Sequence, residues 1–147
     1  MTLIVSLDDE PGMLELLRVI LEYSGYETIG TDDEPEALSI LHRQPVDLFT
    51  QDMMRPGMGG LDFLHHMKSE PALRSIPVLV ISAGMRGLRA EQLEEYGLNI
   101  DRDLAGYLQK PFDPWQLLET VETILRQHSR PLPPEESRAR ARARWQR

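Results

Sequence analysis

The chain contains no cysteine, so no disulfide can staple it. At 147 residues it needs none, because a domain of that size can bury an adequate core by itself. No apolar run approaches the roughly 20 residues needed to cross a bilayer. The N-terminus also lacks the makings of a secretory signal: Leu3-Ile4-Val5 is too short, and Asp8-Asp9-Glu10 follows at once. The expectation is a soluble cytoplasmic protein with one domain and a short extension. Basic residues are scarce over most of its length. The formal net charge is -8, yet residues 128–147 hold six Arg and two Glu, a local +4, which leaves -12 on the remainder. An acidic body argues against nucleic acid as the partner of the folded part. It suits a site that gathers carboxylates around a cation.

The apolar pattern switches between short runs and helix-period segments. Thr2–Leu7, Tyr26–Gly30, Val46–Gln51, Val78–Ser82 and Gly106–Gln109 read as strands. Pro11–Ser24 reads as a helix, with Leu14, Leu17 and Leu21 on one row and Gly25 just past its end. Asp33 is placed to cap a helix reaching about Gln44, with Glu36 in capping-box position. Helices are also predicted over Leu61–Ser69 and about Arg89–Tyr96, with a Pro- and Gly-rich loop at Arg55–Gly60. A long polar connection then leads to the last strand. Asp113-Pro114-x-Gln116 opens a final helix ending near Gln127. Five strands alternating with five helices imply βαβ crossovers and a parallel sheet. Pro131–Arg147 is low in complexity and reads as disordered.

In such α/β folds the binding crevice lies beyond the carboxyl ends of the strands. Asp8 and Asp9 follow the first strand, Asp52 the third, Ser82 ends the fourth, and Lys110 follows the fifth. All fall at one edge. Carboxylates crowded together raise each other's pKa unless a cation sits among them. A hard ion such as Mg²⁺, with its preference for oxygen ligands, suits that set. Phosphoryl transfer to a carboxylate needs an in-line oxygen nucleophile and positive groups on the equatorial oxygens. Asp52 is the candidate nucleophile, since strand one can hold the cation and leave it free to attack.

The pair Asp8-Asp9, the segment Asp52-Met53-Met54-Arg55-Pro56-Gly57-Met58, the pair Ser82-Ala83 and Lys110-Pro111-Phe112 together resemble a response-regulator receiver domain of two-component signalling systems, of the stand-alone type. The resemblance covers about residues 1–127, leaving 128–147 as a basic tail. It implies a flavodoxin-like doubly wound sheet of order 2-1-3-4-5 with five helices. It implies Asp52 as phosphoacceptor, with Mg²⁺ held by Asp8, Asp9, Asp52 and the main-chain carbonyl of Met54. Ser82 and Lys110 would bind phosphoryl oxygens, and Ala83 would leave room for the group. Tyr107 matches the aromatic switch residue, and the Lys110–Pro111 bond would be cis. The implied partners are a histidine kinase or phosphotransfer protein, and a downstream protein docking on the last two helices and fifth strand, with a homodimer as a further form of output.

Some positions depart from that pattern. Arg55 stands where an apolar residue is usual, Gly59 replaces a common Asp, and Gln51 precedes the phosphoacceptor where apolar residues are common. These bear on loop stiffness and dephosphorylation rate. The interval from Ser82 to Lys110 is longer than usual, and the extra length is assigned to Leu98–Ala105. An aspartate-nucleophile phosphatase would carry a second Asp at the position of Met54, which counts against that class. A receiver-like scaffold that ignores phosphate is the other rival. His65-His66 reads as ordinary helix surface, since adjacent helical residues do not face each other. The tail from Arg138 to Trp145 could bind an anionic surface as an extended chain, or be a plain basic tail. The chain ends about twenty residues past its last helix, too few for a DNA-binding domain, so output is expected through a partner protein, through dimerisation or onward along a phosphorelay.

Overall fold

The computed structural model describes residues 1–53, 60–83 and 90–128. Met54, Arg55, Gly59, Arg89 and the tail from residue 129 lie outside the described residues. Five strands, β1 (Leu3–Leu7), β2 (Glu27–Thr31), β3 (Leu48–Gln51), β4 (Val78–Ser82) and β5 (Gly106–Gln109), form one sheet in the order β2-β1-β3-β4-β5. Every pairing is parallel, as predicted.

Because strand side chains alternate, the sheet carries two apolar faces. Leu3, Val5, Leu7, Phe49, Val78 and Val80 point to one layer with α2 (Glu34–Arg43), α3 (Gly60–Ser69) and α4 (Ala90–Glu95). Ile4, Leu48, Leu79, Ile81 and Leu108 point to the other, with α1 (Pro11–Tyr23) and α6 (Pro114–His128). Full burial of side chains such as Phe49 and Leu64 contributes about 1.5–3 kcal/mol each.

The predicted caps form, with one variation. Gly25 takes φ +92°, and the N–H of Tyr26 donates to the Leu21 carbonyl at 3.1 Å, closing α1 in a Schellman turn. At α6 the box is complete: the Gln116 N–H donates to Asp113 at 2.9 Å and the Asp113 N–H to Gln116 Oε1 at 3.0 Å. At α2, Asp33 accepts from the Glu36 N–H, but the Glu36 side chain does not reach back. Thr31 stands between them instead, accepting from the Asp33 N–H and donating to Glu36, both at 3.1 Å.

The helix count differs from expectation. Six helices are present among the described residues, because the segment expected as a polar connection folds one short turn, α5 (Ile100–Asp103). Its stability is local. Asn99 Oδ1 accepts from the N–H groups of Asp101 and Arg102, while Asp103 accepts from the Asn99 N–H at 2.7 Å. Arg102 pairs with Asp103 at 2.7 Å and also donates to the Gly97 carbonyl. The segment Leu98–Ala105, expected to be a polar connection, thus contains this helical turn. Among the described residues no helix is long and apolar enough to cross a membrane.

Candidate functional site at the carboxyl ends of the strands

The sheet ladder itself positions the site. Its hydrogen bonds continue one residue past the strands: Asp8 N–H donates to the Thr31 carbonyl, Asp52 N–H to Leu7, and Lys110 N–H to Ser82, at 3.1, 3.1 and 2.8 Å. Asp8, Asp52 and Lys110 thus inherit the rigidity of the core while standing at its edge. Carboxylate oxygens of Asp8, Asp9, Glu10 and Asp52 lie within 4.8 Å of one another. Asp8 and Asp52 are buried, Asp9 and Glu10 exposed.

The Lys110 ammonium, 10% exposed, enters this cluster. It lies 2.9 Å from Asp8 Oδ2, 3.4 Å from Asp52 Oδ2 and 3.5 Å from Glu10 Oε1. Burial alone would lower its pKa. The Asp8 hydrogen bond and the charges of Asp8, Asp52 and Glu10 outweigh that and raise it. Asp8 shifts upward too. Its burial outweighs the Lys110 bond and the Glu10 N–H that donates to it at 2.9 Å, and the charge of Asp52 adds to the rise. Among the described residues, one lysine faces the carboxylates of Asp8, Glu10 and Asp52, with Asp9 beside them. That donor set, all oxygen and crowded, fits a hard divalent cation such as Mg²⁺.

Two hydroxyls complete the edge. Among the described residues, the buried Ser82 Oγ and Tyr107 OH have no hydrogen-bond partner. Buried hydroxyls normally find partners. The Tyr107 pKa is raised, by burial first and then by the charge of Asp52. Ala83 follows Ser82 and is exposed. The Lys110–Pro111 peptide is cis, as the resemblance implied. Of the predicted site residues, Met54 alone lies outside the described residues.

Sequence reasoning missed two arrangements. Glu10 was given no place in the site, yet it joins the acidic cluster and approaches Lys110. Its place immediately before the Pro that starts α1 was the available signal. His66, read as ordinary surface, shares the Glu70 carboxylate with His42 of α2, at 3.2 and 3.1 Å. Both rings are solvent-exposed, and no local spacing announces a contact between two helices.

The comparisons agree with this geometry. The family model of the response regulator receiver domain matches residues 4–122. The phosphate regulon transcriptional regulatory protein PhoB of Escherichia coli is 32% identical over 126 residues, covering 86% of this chain and 52% of its own. The polar-differentiation response regulator DivK of Brucella anthropi is 30% identical over 123 residues, covering 83% and 94%. The chain therefore spans about half the length of PhoB and nearly all of DivK. The signal receiver domain of a histidine kinase from Syntrophus aciditrophicus superposes with a TM-score of 0.72 at 26% identity, covering 90% and 96%. CheY4 of Vibrio cholerae, at 23% identity and TM-score 0.71 over 84% and 98%, supports the fold. With the sheet order, the acidic edge and these matches in agreement, the chain belongs to the response regulator receiver domain family.

Proposed function

We propose that Asp52 accepts a phosphoryl group from a histidine kinase or phosphotransfer protein, in a Mg²⁺-dependent reaction in the cytoplasm. Receiver domains are signalling modules, and the chemistry here would serve a switch rather than turnover of a diffusing substrate. The observation that carries the reading is the buried Lys110 ammonium held between Asp8 and Asp52, at 2.9 and 3.4 Å. That geometry gives a carboxylate nucleophile, acidic neighbours for a cation and a fixed positive charge within reach of one another.

In the proposed transfer a carboxylate oxygen of Asp52 bonds to phosphorus as the phosphorus–nitrogen bond of a phosphohistidine breaks. The electron pair returns to the imidazole, which takes up a proton, and Asp52 becomes an acyl phosphate. Water later returns it to carboxylate and inorganic phosphate. Asp8, Asp9, Asp52 and the Met54 carbonyl would hold the cation, which neutralises charge on the phosphoryl oxygens. Lys110 and the Ser82 hydroxyl would take the remaining oxygens, with Ala83 leaving space and Pro111 shaping the turn behind Lys110. The buried, unpartnered hydroxyls of Ser82 and Tyr107 support a switch between them. Its output would appear on α4, β5 and α6, where α5 is inserted and a protein partner or second copy would dock. Residues 1–127 would form the signalling unit, with the basic segment 128–147 apart from it.

The test is intact mass after treatment with acetyl phosphate or phosphoramidate, with and without Mg²⁺, beside Asp52→Ala. The expected result is one phosphoryl group on the wild type with Mg²⁺, and none on the variant or without Mg²⁺. A folded wild type that gains nothing would leave a phosphate-independent scaffold as the better reading. Turnover of a small phosphoester would revive the phosphatase class.

A further inference from the structure

We infer that Gln51 is a positioning residue for the phosphoacceptor site, holding the two ends of the β3–α3 connection together beside Asp52. The inference rests on the proposed function of Asp52. Alternation along β3 puts Thr50 and Asp52 on one face and Phe49 and Gln51 on the other, in the layer that packs against α2 and α3. Gln51 is 1% exposed. A primary amide in an apolar layer is disfavoured unless both its ends are bonded.

Only one end is bonded. Gln51 Nε2 donates to the Gly60 carbonyl at 2.7 Å. Gln51 Oε1 is buried with no partner among the described residues. As the first residue of α3, Gly60 also stands where its carbonyl can accept within the helix. An apolar side chain of similar shape would therefore serve the core at least as well. The amide is better explained by what its bond fixes.

It fixes a backbone contact. A Cβ at Gly60 would lie 2.9 Å from Met53 Cα and 3.0 Å from the Met53 carbonyl oxygen, so only glycine allows this approach. The start of α3 thus presses on the residue directly after Asp52, and Gln51, directly before Asp52, ties the same glycine down. The phosphoacceptor is held from both sides by one short link. Slack in that link would move the Asp52 carboxylate relative to Asp8, whose own position comes from β1.

The test compares wild type, Gln51→Met and Gly60→Ala in three measurements: Mg²⁺ affinity by calorimetry with Mg²⁺ alone, phosphorylation rate with acetyl phosphate, and melting temperature. Gln51→Met is expected to weaken Mg²⁺ binding about tenfold, the scale for residues that orient metal ligands, while melting at or above the wild-type temperature. Gly60→Ala, which strains the same contact from the other side, is expected to weaken Mg²⁺ binding similarly. Unchanged Mg²⁺ affinity in Gln51→Met would overturn the inference. So would a weaker affinity accompanied by a lower melting temperature, since that is what a merely structural amide predicts. A wild type that binds Mg²⁺ but takes no phosphoryl group would end the proposed function, and the Mg²⁺ comparison would still decide the role of Gln51. A wild type that binds no Mg²⁺ would overturn both.

Discussion

The two edges of the sheet each hold a largely buried aspartate and a lysine, and the shifts run in opposite directions. At the carboxyl edge both Asp8 and Lys110 have raised pKa values. At the amino edge both Asp103 and Lys68 have lowered ones. Burial is the largest influence on all four, so the difference comes from the company each keeps. Lys110 faces Asp8, Glu10 and Asp52, an excess of negative charge. Lys68 forms no ion pair among the described residues and donates only to the carbonyls of Ile76 and Arg74, at 2.8 and 3.2 Å. It shares a cleft of about 300 Å³ with Arg74, Arg102 and Asp103. There burial is offset at Asp103 by Arg102 and by the Asn99 N–H, so the carboxylate stays ionised. Among the described residues, the carboxyl edge gathers several carboxylates around one lysine and keeps two hydroxyls without a hydrogen-bond partner. The other satisfies its buried aspartate within a single helical turn. Incomplete satisfaction marks the edge that has something still to bind.

Exchanging charges between the edges would break this contrast, and the largest effect is expected at Asp8. Asp8→Asn should slow Mg²⁺-dependent phosphorylation about a hundredfold or more, the scale for losing one group that organises a charged transition state. It should melt no lower than wild type, because the ionised carboxylate it removes is disfavoured in the fold. A parallel loss of stability and activity would show that Asp8 is structural after all. Asp103→Ala is the mirror case. Removing a buried carboxylate that accepts charged and backbone donors should destabilise by about 1.5–3 kcal/mol in urea unfolding, and leave phosphorylation by acetyl phosphate unchanged. An equal slowing of phosphorylation would couple the two edges.

The smallest effect, and the sharpest, is in pH. Asp8 holds its proton more readily folded than unfolded. Its contribution to stability therefore becomes more favourable as pH falls from its raised folded value toward 3.8, its ordinary value. Asp103 holds its proton less readily folded. Its contribution is fully present above 3.8 and is lost as pH falls through its folded value, below 3.8. Melting temperatures of wild type minus Asp8→Asn and wild type minus Asp103→Asn should therefore slope in opposite directions, in adjacent pH windows. Two curves of the same sign would refute the contrast.

Legibility in the sequence followed the same division. Asp8, Asp52, Ser82 and Lys110 were readable because each follows or ends a short apolar strand, and the rule about parallel sheets does the rest. The helix ends at Gly25 and Asp113 were readable because capping is local chemistry. The α5 turn was not. Asn99-Ile100-Asp101-Arg102-Asp103 carries a single apolar residue, and its helix depends on a side-chain box that looks like any polar loop. The Gln51–Gly60 link was equally hidden, since a strand-end glutamine gives no sign of where its amide points. Periodicity reports which face is buried; it does not report which polar groups meet across it.

The Lys110–Asp8 pair joins residues 102 positions apart, from the first strand and from just past the last. During synthesis Asp8 and Asp52 leave the ribosome long before Lys110 does. A chain stopped ahead of β5 would hold the acidic residues without the lysine that lies among them, and without the edge strand that carries Tyr107. The charge cluster seen among the described residues is therefore complete only after the last strand has been made.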